Sequence, residues 1–157
     1  MEHSKHQRHD LVKVFFDLKD TDWKWTEESM WAIPTELSNE FILDNIPLLA
    51  YGISQGDKFS THIVNKNFFF KEILQRGGHS TFRIHFKETP IELQLKKYLS
   101  NFISIGCSYE GNGATLYAID APSSQAQEKL IPLLCAGEIN NVWDYEEGYI
   151  VKRDSHD

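Results

Sequence analysis

The run RGGHSTFRIHF, Arg76 to Phe86, gathers the residue types that nucleophilic chemistry uses: the imidazole of His79, the hydroxyls of Ser80 and Thr81, and the guanidinium of Arg83. For a hydroxyl to attack, an imidazole must take its proton and a carboxylate must orient the ring, and Asp44 or Asp57 are the candidate acids. The spacing argues against a reactive pair within the run. Neighbours on an extended chain point to opposite faces, so His79 and Ser80 diverge, and no Gly-x-Ser-x-Gly elbow exposes a serine. The residues read instead as a corner in which Gly77 and Gly78 permit positive φ while His79 and Thr81 bond loop backbone. An alternative keeps a pocket between two lobes, built from Asp44, Asn45, His79, Thr81 and Arg83. There the planar fork of Arg83 would clamp a carboxylate or phosphate, in an enzyme or an anion-binding module.

Two acidic groups with aromatic neighbours are the other candidates. Asp17, Asp20, Asp22, Glu27 and Glu28 surround Trp23 and Trp25, with Trp31 close behind, and Asp144, Glu146 and Glu147 surround Tyr145 beside Trp143. Paired carboxylates can act as acid and base, but on an alternating strand near a chain end they read as a solvated edge, and tryptophans in a small β lobe read as core. The formal net charge of -7 has no basic stripe to offset it, which argues against nucleic acid as a partner and favours a basic protein surface. No phosphate loop or dinucleotide fingerprint is present, so no cofactor is expected. His3, His6 and His9 lack a fixed framework, and His62, His79 and His85 lack an accompanying Cys pair, so no metal is expected either. Cys107 and Cys135 read as reduced packing residues, and with no apolar run long enough for a membrane span or secretory signal, the simplest location is the cytoplasm.

These residues need a scaffold, and the chain of 157 residues supplies a fold of class α+β. Residues 1–10 and 152–157 read as tails. Over 11–78, five short strand patterns (Leu11 to Leu18, Glu28 to Pro34, Glu40 to Pro47, Gly56 to Val64, Phe68 to Gln75) predict a curled antiparallel sheet or partial barrel. Over 79–151 the order is strand, helix, strand, strand, helix, strand, the split βαβ succession of a ferredoxin-like sandwich. In its first strand Phe82, Ile84 and Phe86 share one face and Arg83 and His85 the other, which predicts a half-buried strand. Thr89, Pro90 and Glu92 predict a capping box before a helix that buries Ile91, Leu95, Leu99, Phe102 and Ile103 and stops at Gly106. Glycines 111 and 113 mark a hairpin. Ser124 with Gln127 predicts the second helical cap, Pro132 a kink or a delayed start, and Gly137 the end.

The motifs SMWAIP, LDNIPLLAYGISQGD, RGGHSTFRI, LYAIDAP and WDYEEGYI resemble the uncharacterised bacterial family catalogued as domain of unknown function 4265, over Leu11 to Ile150. The resemblance rests on Ser29 and Trp31, on Asp44, Asn45 and Pro47, on Gly56 and Asp57, on Gly78 to Arg83, and on Tyr145 to Gly148; Pro132 departs from the unbroken second helix expected of members. It implies a shared fold and no established activity. By analogy with other small acidic proteins, the leading expectation is a non-enzymatic protein-binding protein, an immunity protein that neutralises an antibacterial toxin. Its acidic residues, Asp17, Asp20, Asp22, Glu27 and Glu28 with Asp144, Glu146 and Glu147, would meet a basic cleft.

Overall fold

In the first half of the chain, apolar and polar residues alternate with the period of a strand, and the alternation sorts side chains to the inside and outside of a closed surface. Val14 and Phe16, Met30 and Ala32, Phe41 and Leu43, and Phe59 point inward and are buried. The computed structural model of the protein describes residues 10–152. The strands β1 (Val12–Asp17), β2 (Glu27–Pro34), β3 (Glu40–Leu43), β4 (Lys58–Val64) and β5 (Asn67–Gln75) pair in sequence order, each antiparallel to the next. The sheet closes where β5 pairs in parallel with β1 through Val14 with Phe68 and Phe15 with Phe69. Closure removes the free edges that an open sheet would expose. Inside, Phe16, Phe41, Phe59 and Phe70 form a chain of ring contacts with centroids 5.3 to 6.2 Å apart. Rings of this size each bury a large apolar area.

The glycine pair follows the last strand of this barrel. Asp57 is fully buried; its carboxylate accepts from the Gly77 N–H at 2.8 Å and from Arg76 Nη1 at 3.0 Å. The Gly77 backbone lies so close to Gly56 that a Cβ would sit 2.5 Å from the Gly56 carbonyl oxygen, so only glycine fits. Gly78, at φ +88°, carries the left-handed turn. One glycine thus answers a close approach and the other a dihedral requirement.

The described residues group into two compact units, 10–45 with 55–77 and 46–54 with 78–152, so the segment Ile46–Ser54, sequentially within the barrel, packs with the second unit. That unit contains β6 (Ser80–Phe86), α1 (Glu92–Ser104), β7 (Ser108–Gly111), β8 (Leu116–Ala121), α2 (Ser124–Ile139) and β9 (Trp143–Tyr149). Its sheet order is β7-β8-β6-β9, with every neighbouring pair antiparallel, so each helix joins two strands that have another strand between them. Phe82, Ile84, Phe86, Leu99, Phe102, Leu130, Leu134 and Trp143 make the core between sheet and helices.

Several local expectations change here. β6 is not half-buried: Thr81 and Arg83 are as buried as Phe82 and Ile84, because Ile46–Ser54 covers the second face, and only His85 stays exposed. Helix α1 takes Ile91 as its N-cap with no side-chain cap bond, so the expected box of Thr89 and Glu92 does not form. Of its expected face, Leu99 and Phe102 are buried and Leu95 partly so, but Ile91 and Ile103 are 65% and 53% exposed. The sheet covers one narrow stripe of the helix, and those two isoleucines fall beyond it. Gly106 does stop α1, at φ +93°, with the Cys107 N–H donating to Phe102 O and the Gly106 N–H to Ile103 O in the paired bonds of a glycine C-cap.

Helix α2 begins one residue earlier than the sequence pattern suggests. Ser123 is the cap, accepting from the Ala126 N–H at 3.1 Å, and Pro132 lies inside the helix without delaying its start. Gly137 does not end it. The indole of Trp143 rests against Gly137, where a Cβ would come within 2.1 Å of Trp143 Cε2, and the stop falls to Asn141 at φ +61°. The N-terminal histidine tail lies outside the described residues. Among the described residues, no helix is long and apolar enough to cross a membrane.

Candidate functional site

Two arrangements place charged or reactive side chains where they could act. The first is the β1–β2 hairpin of the barrel. Its ladder sets Asp17 directly opposite Glu27 and Phe16 opposite Glu28, and the connection between the strands carries Asp20 and Asp22. Like charges facing each other across a ladder are unfavourable, so this end of the hairpin holds carboxylates that strand pairing alone would disfavour. Asp17, Asp20, Asp22 and Glu27 are exposed, and Lys19 lies only at the limit of ion pairing with Asp17, 4.0 Å away.

The tryptophans of this region correct the expectation of a core role: Trp25 and Trp31 are 48% and 45% exposed. Trp31 lies on the outward-pointing register of β2, opposite Lys13, whose ammonium is 5.4 Å from the ring centroid; Lys24 stands over Trp25 at 4.9 Å. Trp23 packs beside Trp25 with centroids 6.4 Å apart. Both exposed rings therefore already hold a cation on a face, the geometry in which an aromatic quadrupole attracts positive charge. The spacing of Trp31 from Met30 and Ala32, which alternate inward, was the signal available in the sequence.

The second arrangement lies in the other unit, where Ile46–Ser54 covers Thr81, Arg83 and their cross-strand neighbours. His79 and Thr81 do not bond loop backbone as expected. His79 Nδ1–H donates to Asp120 at 2.7 and 2.9 Å, and the hydroxyls of Thr81 and Ser54 share a hydrogen bond of 2.6 Å. The acid beside His79 is thus neither Asp44 nor Asp57. Asp120 reaches it because β6 pairs antiparallel with β8, placing Asp120 opposite Thr81, a partnership across 41 residues that local spacing does not reveal. Ser80 Oγ donates to Gln127 Oε1 at 2.7 Å and accepts from the Val151 N–H at 2.9 Å, which ties the strand start to α2 and to the chain beyond β9.

Arg83 is almost wholly buried. Its Nε donates to Glu146 Oε1 at 2.8 Å, and its Nη1 donates to Ala50 O at 2.8 Å and Pro47 O at 3.3 Å. The Tyr51 ring lies 4.4 Å from its Cζ, and the Tyr51 hydroxyl donates to Glu146 Oε2 at 2.7 Å. Gly148 passes beneath, with room for a Cβ only 3.1 Å from Nη1. Arg83 is therefore chiefly a buried cation that ties Ile46–Ser54 to β6 and β9, and Glu146 is its counter-ion rather than a free surface carboxylate. Burial, together with the bond to Glu146, holds the Tyr51 phenol above its usual range.

The remaining candidates have simple placements. Asn45 Oδ1 accepts from the Trp31 N–H at 2.6 Å and the Asp44 N–H donates to Trp31 O, so this pair ties β2 to the end of β3 within the barrel. Asp144 is exposed and paired with Lys87 at 3.1 Å, and Glu147 is exposed. Cys107 and Cys135 are both free thiols. Burial, with help from the charge of Asp120, pushes the Cys107 thiol up to about 11, which makes it a poor nucleophile near neutrality.

A crystal structure described as a hypothetical protein from Neisseria gonorrhoeae is similar to this chain at 19% sequence identity, with a TM-score of 0.78 over 91% of this chain and 97% of that one. At this identity the likeness speaks for the fold alone. No curated protein matches the chain. The family described as a domain of unknown function (DUF4265) matches residues 28–145, a span that takes in most of both units and begins after the acidic connection of the β1–β2 hairpin; the chain belongs to this family.

Proposed function

We propose that this protein binds a basic protein partner through the β1–β2 hairpin of its barrel. The observation that carries the reading is the register of that hairpin, which faces Asp17 with Glu27, a repulsion that Lys19, at the limit of ion pairing 4.0 Å from Asp17, offsets only in part. A cationic partner surface would relieve it, and would gain orientation and association rate from the same carboxylates. Trp25, exposed beside them, has the size and rigidity of residues that dominate binding energy. Asp144 and Glu147 add exposed acidic charge in the second unit. Neutralising an antibacterial toxin, as an immunity protein covering a basic cleft, is the specific form of this activity that fits such a surface.

The test is affinity capture from host lysate at about 50 mM and about 500 mM salt, a range over which exposed ion pairs go from weakly to strongly screened. Wild type is compared with D17N/D20N/D22N/E27Q and with W25A. A basic protein retained by wild type at low salt and lost from both variants supports the proposal. Retention of no basic protein, or equal retention by the charge variant, ends it. Co-expression with the captured protein then decides the immunity form: growth must be restored by wild type and not by the charge variant.

A further inference from the structure

We propose that Arg83 is a gated oxyanion site, independent of the hairpin surface, in which Glu146 and Tyr51 hold the place of a ligand's carboxylate or phosphate group. One edge of a guanidinium carries two parallel donors, Nε–H and Nη2–H, and a carboxylate or phosphate normally takes both together. Glu146 takes only one. Its Oε1 accepts from Nε at 2.8 Å, while its Oε2 is turned to the Tyr51 hydroxyl at 2.7 Å. Among the described residues, Arg83 Nη2 is a buried donor with no hydrogen-bond partner. The internal carboxylate therefore fills half of a fork that suits a whole oxyanion.

The parts also differ in freedom. Arg83 is 1% exposed and pinned by the Pro47 and Ala50 carbonyls, with the Gly148 backbone beneath it. Its cover faces solvent: the Glu146 side chain is 38% exposed and Tyr51 is 46% exposed. A fixed donor under a movable cap is the arrangement a gate requires, since the cap can leave without unmaking the donor's own anchors. An incoming oxyanion would accept from Nε and Nη2 together, Glu146 would turn outward into water with its charge intact, and Tyr51 would follow its hydroxyl partner. Removing the internal carboxylate removes a competitor held at high effective concentration.

The experiment uses the full chain labelled with nitrogen-15 in arginine, following the side-chain Nε–H signal of Arg83, assigned by its loss in R83K. Inorganic phosphate and acetate are titrated separately, with sodium chloride at matched ionic strength as the control. The expected result is a saturable shift of that signal in wild type and binding at least about tenfold tighter in E146Q, as expected when an intramolecular competitor is deleted. Y51F, which frees Oε2 of Glu146 without changing any charge, should alter the affinity as well, and it carries the test if E146Q fails to fold. Tighter binding of phosphate than acetate assigns a phosphorylated ligand, and the reverse a carboxylate. An Arg83 signal that responds to phosphate and acetate no more than to chloride, in wild type and in the folded variants, overturns the proposal, and so does equal affinity in wild type and E146Q. A crystal structure grown in phosphate with Nη2 bonded only to water would overturn it too.

Discussion

Replacing Arg83 by methionine tests the idea that this side chain holds Ile46–Ser54 onto the sheet. The substitution keeps much of the stem volume and deletes the bonds to Glu146, Ala50 O and Pro47 O. Two carbonyls lose a donor, at about 1–3 kcal/mol for each that stays dry. Against this, the buried charge disappears, and replacing ionic groups by apolar ones recovers part of the desolvation cost. The net expectation for R83M is a loss of about 3 kcal/mol, at the low end of the range for breaking a buried pair. E146Q removes the other charge but keeps an amide oxygen able to accept from Arg83 Nε, and the carboxylate it replaces is 38% exposed and so partly screened, so the loss should be nearer 1 kcal/mol. Urea unfolding followed by far-UV circular dichroism and by tryptophan fluorescence measures both, and the transition that moves must be that of the unit containing Trp143. If R83M lies within about 0.5 kcal/mol of wild type, the range of an ordinary surface change, or if E146Q costs more than R83M, the assignment of Arg83 as the anchor is wrong.

Three further outcomes follow from the same geometry. Gly77→Ala should lower stability by about 2 kcal/mol or more, as overpacking against backbone does, while G78A meets no atom and costs only its dihedral strain; equal losses in urea melts would contradict the distinct roles given to the two glycines. Pro132→Ala should raise stability by about 1–3 kcal/mol, since an exposed proline inside a helix lacks an N–H to donate, and thermal melting would refute this with an unchanged or lower Tm. The Cys107 thiol, raised from 9.0 to about 11, binds its proton more tightly in the folded state, so its contribution is complete below pH 9 and declines as pH rises toward 11. The C107A variant should therefore lose less stability than wild type between pH 9 and 10.5, and parallel losses would refute the assignment.

The barrel strands were legible because their signal is local. Period-two alternation with Gly, Pro and Asn punctuation places all five within a few residues of their observed bounds, and the two-residue turn at Asn65 and Lys66, with φ of 49° and 68°, joins β4 to β5. The order of elements from β6 to β9 was legible for the same reason. Caps and stops were less so, because Thr89, Ser124 and Gly137 each have a nearby competitor, and tertiary contacts chose among them; Gly137 was taken by the indole of Trp143.

The sequence by itself determined which segments become strands and helices, the glycine turn at Gly78, and that the chain carries an acidic surface, since these depend on neighbours within a few residues or on composition, whereas Gly77 is required by its approach to Gly56 in the folded chain. Only the tertiary structure decided what the polar residues touch. His79 found Asp120, Thr81 found Ser54 and Arg83 found Glu146 across separations of 41, 27 and 63 residues, through strand pairing and one covering segment. A buried polar group must be paired, but the identity of its partner is set by which distant strands lie side by side.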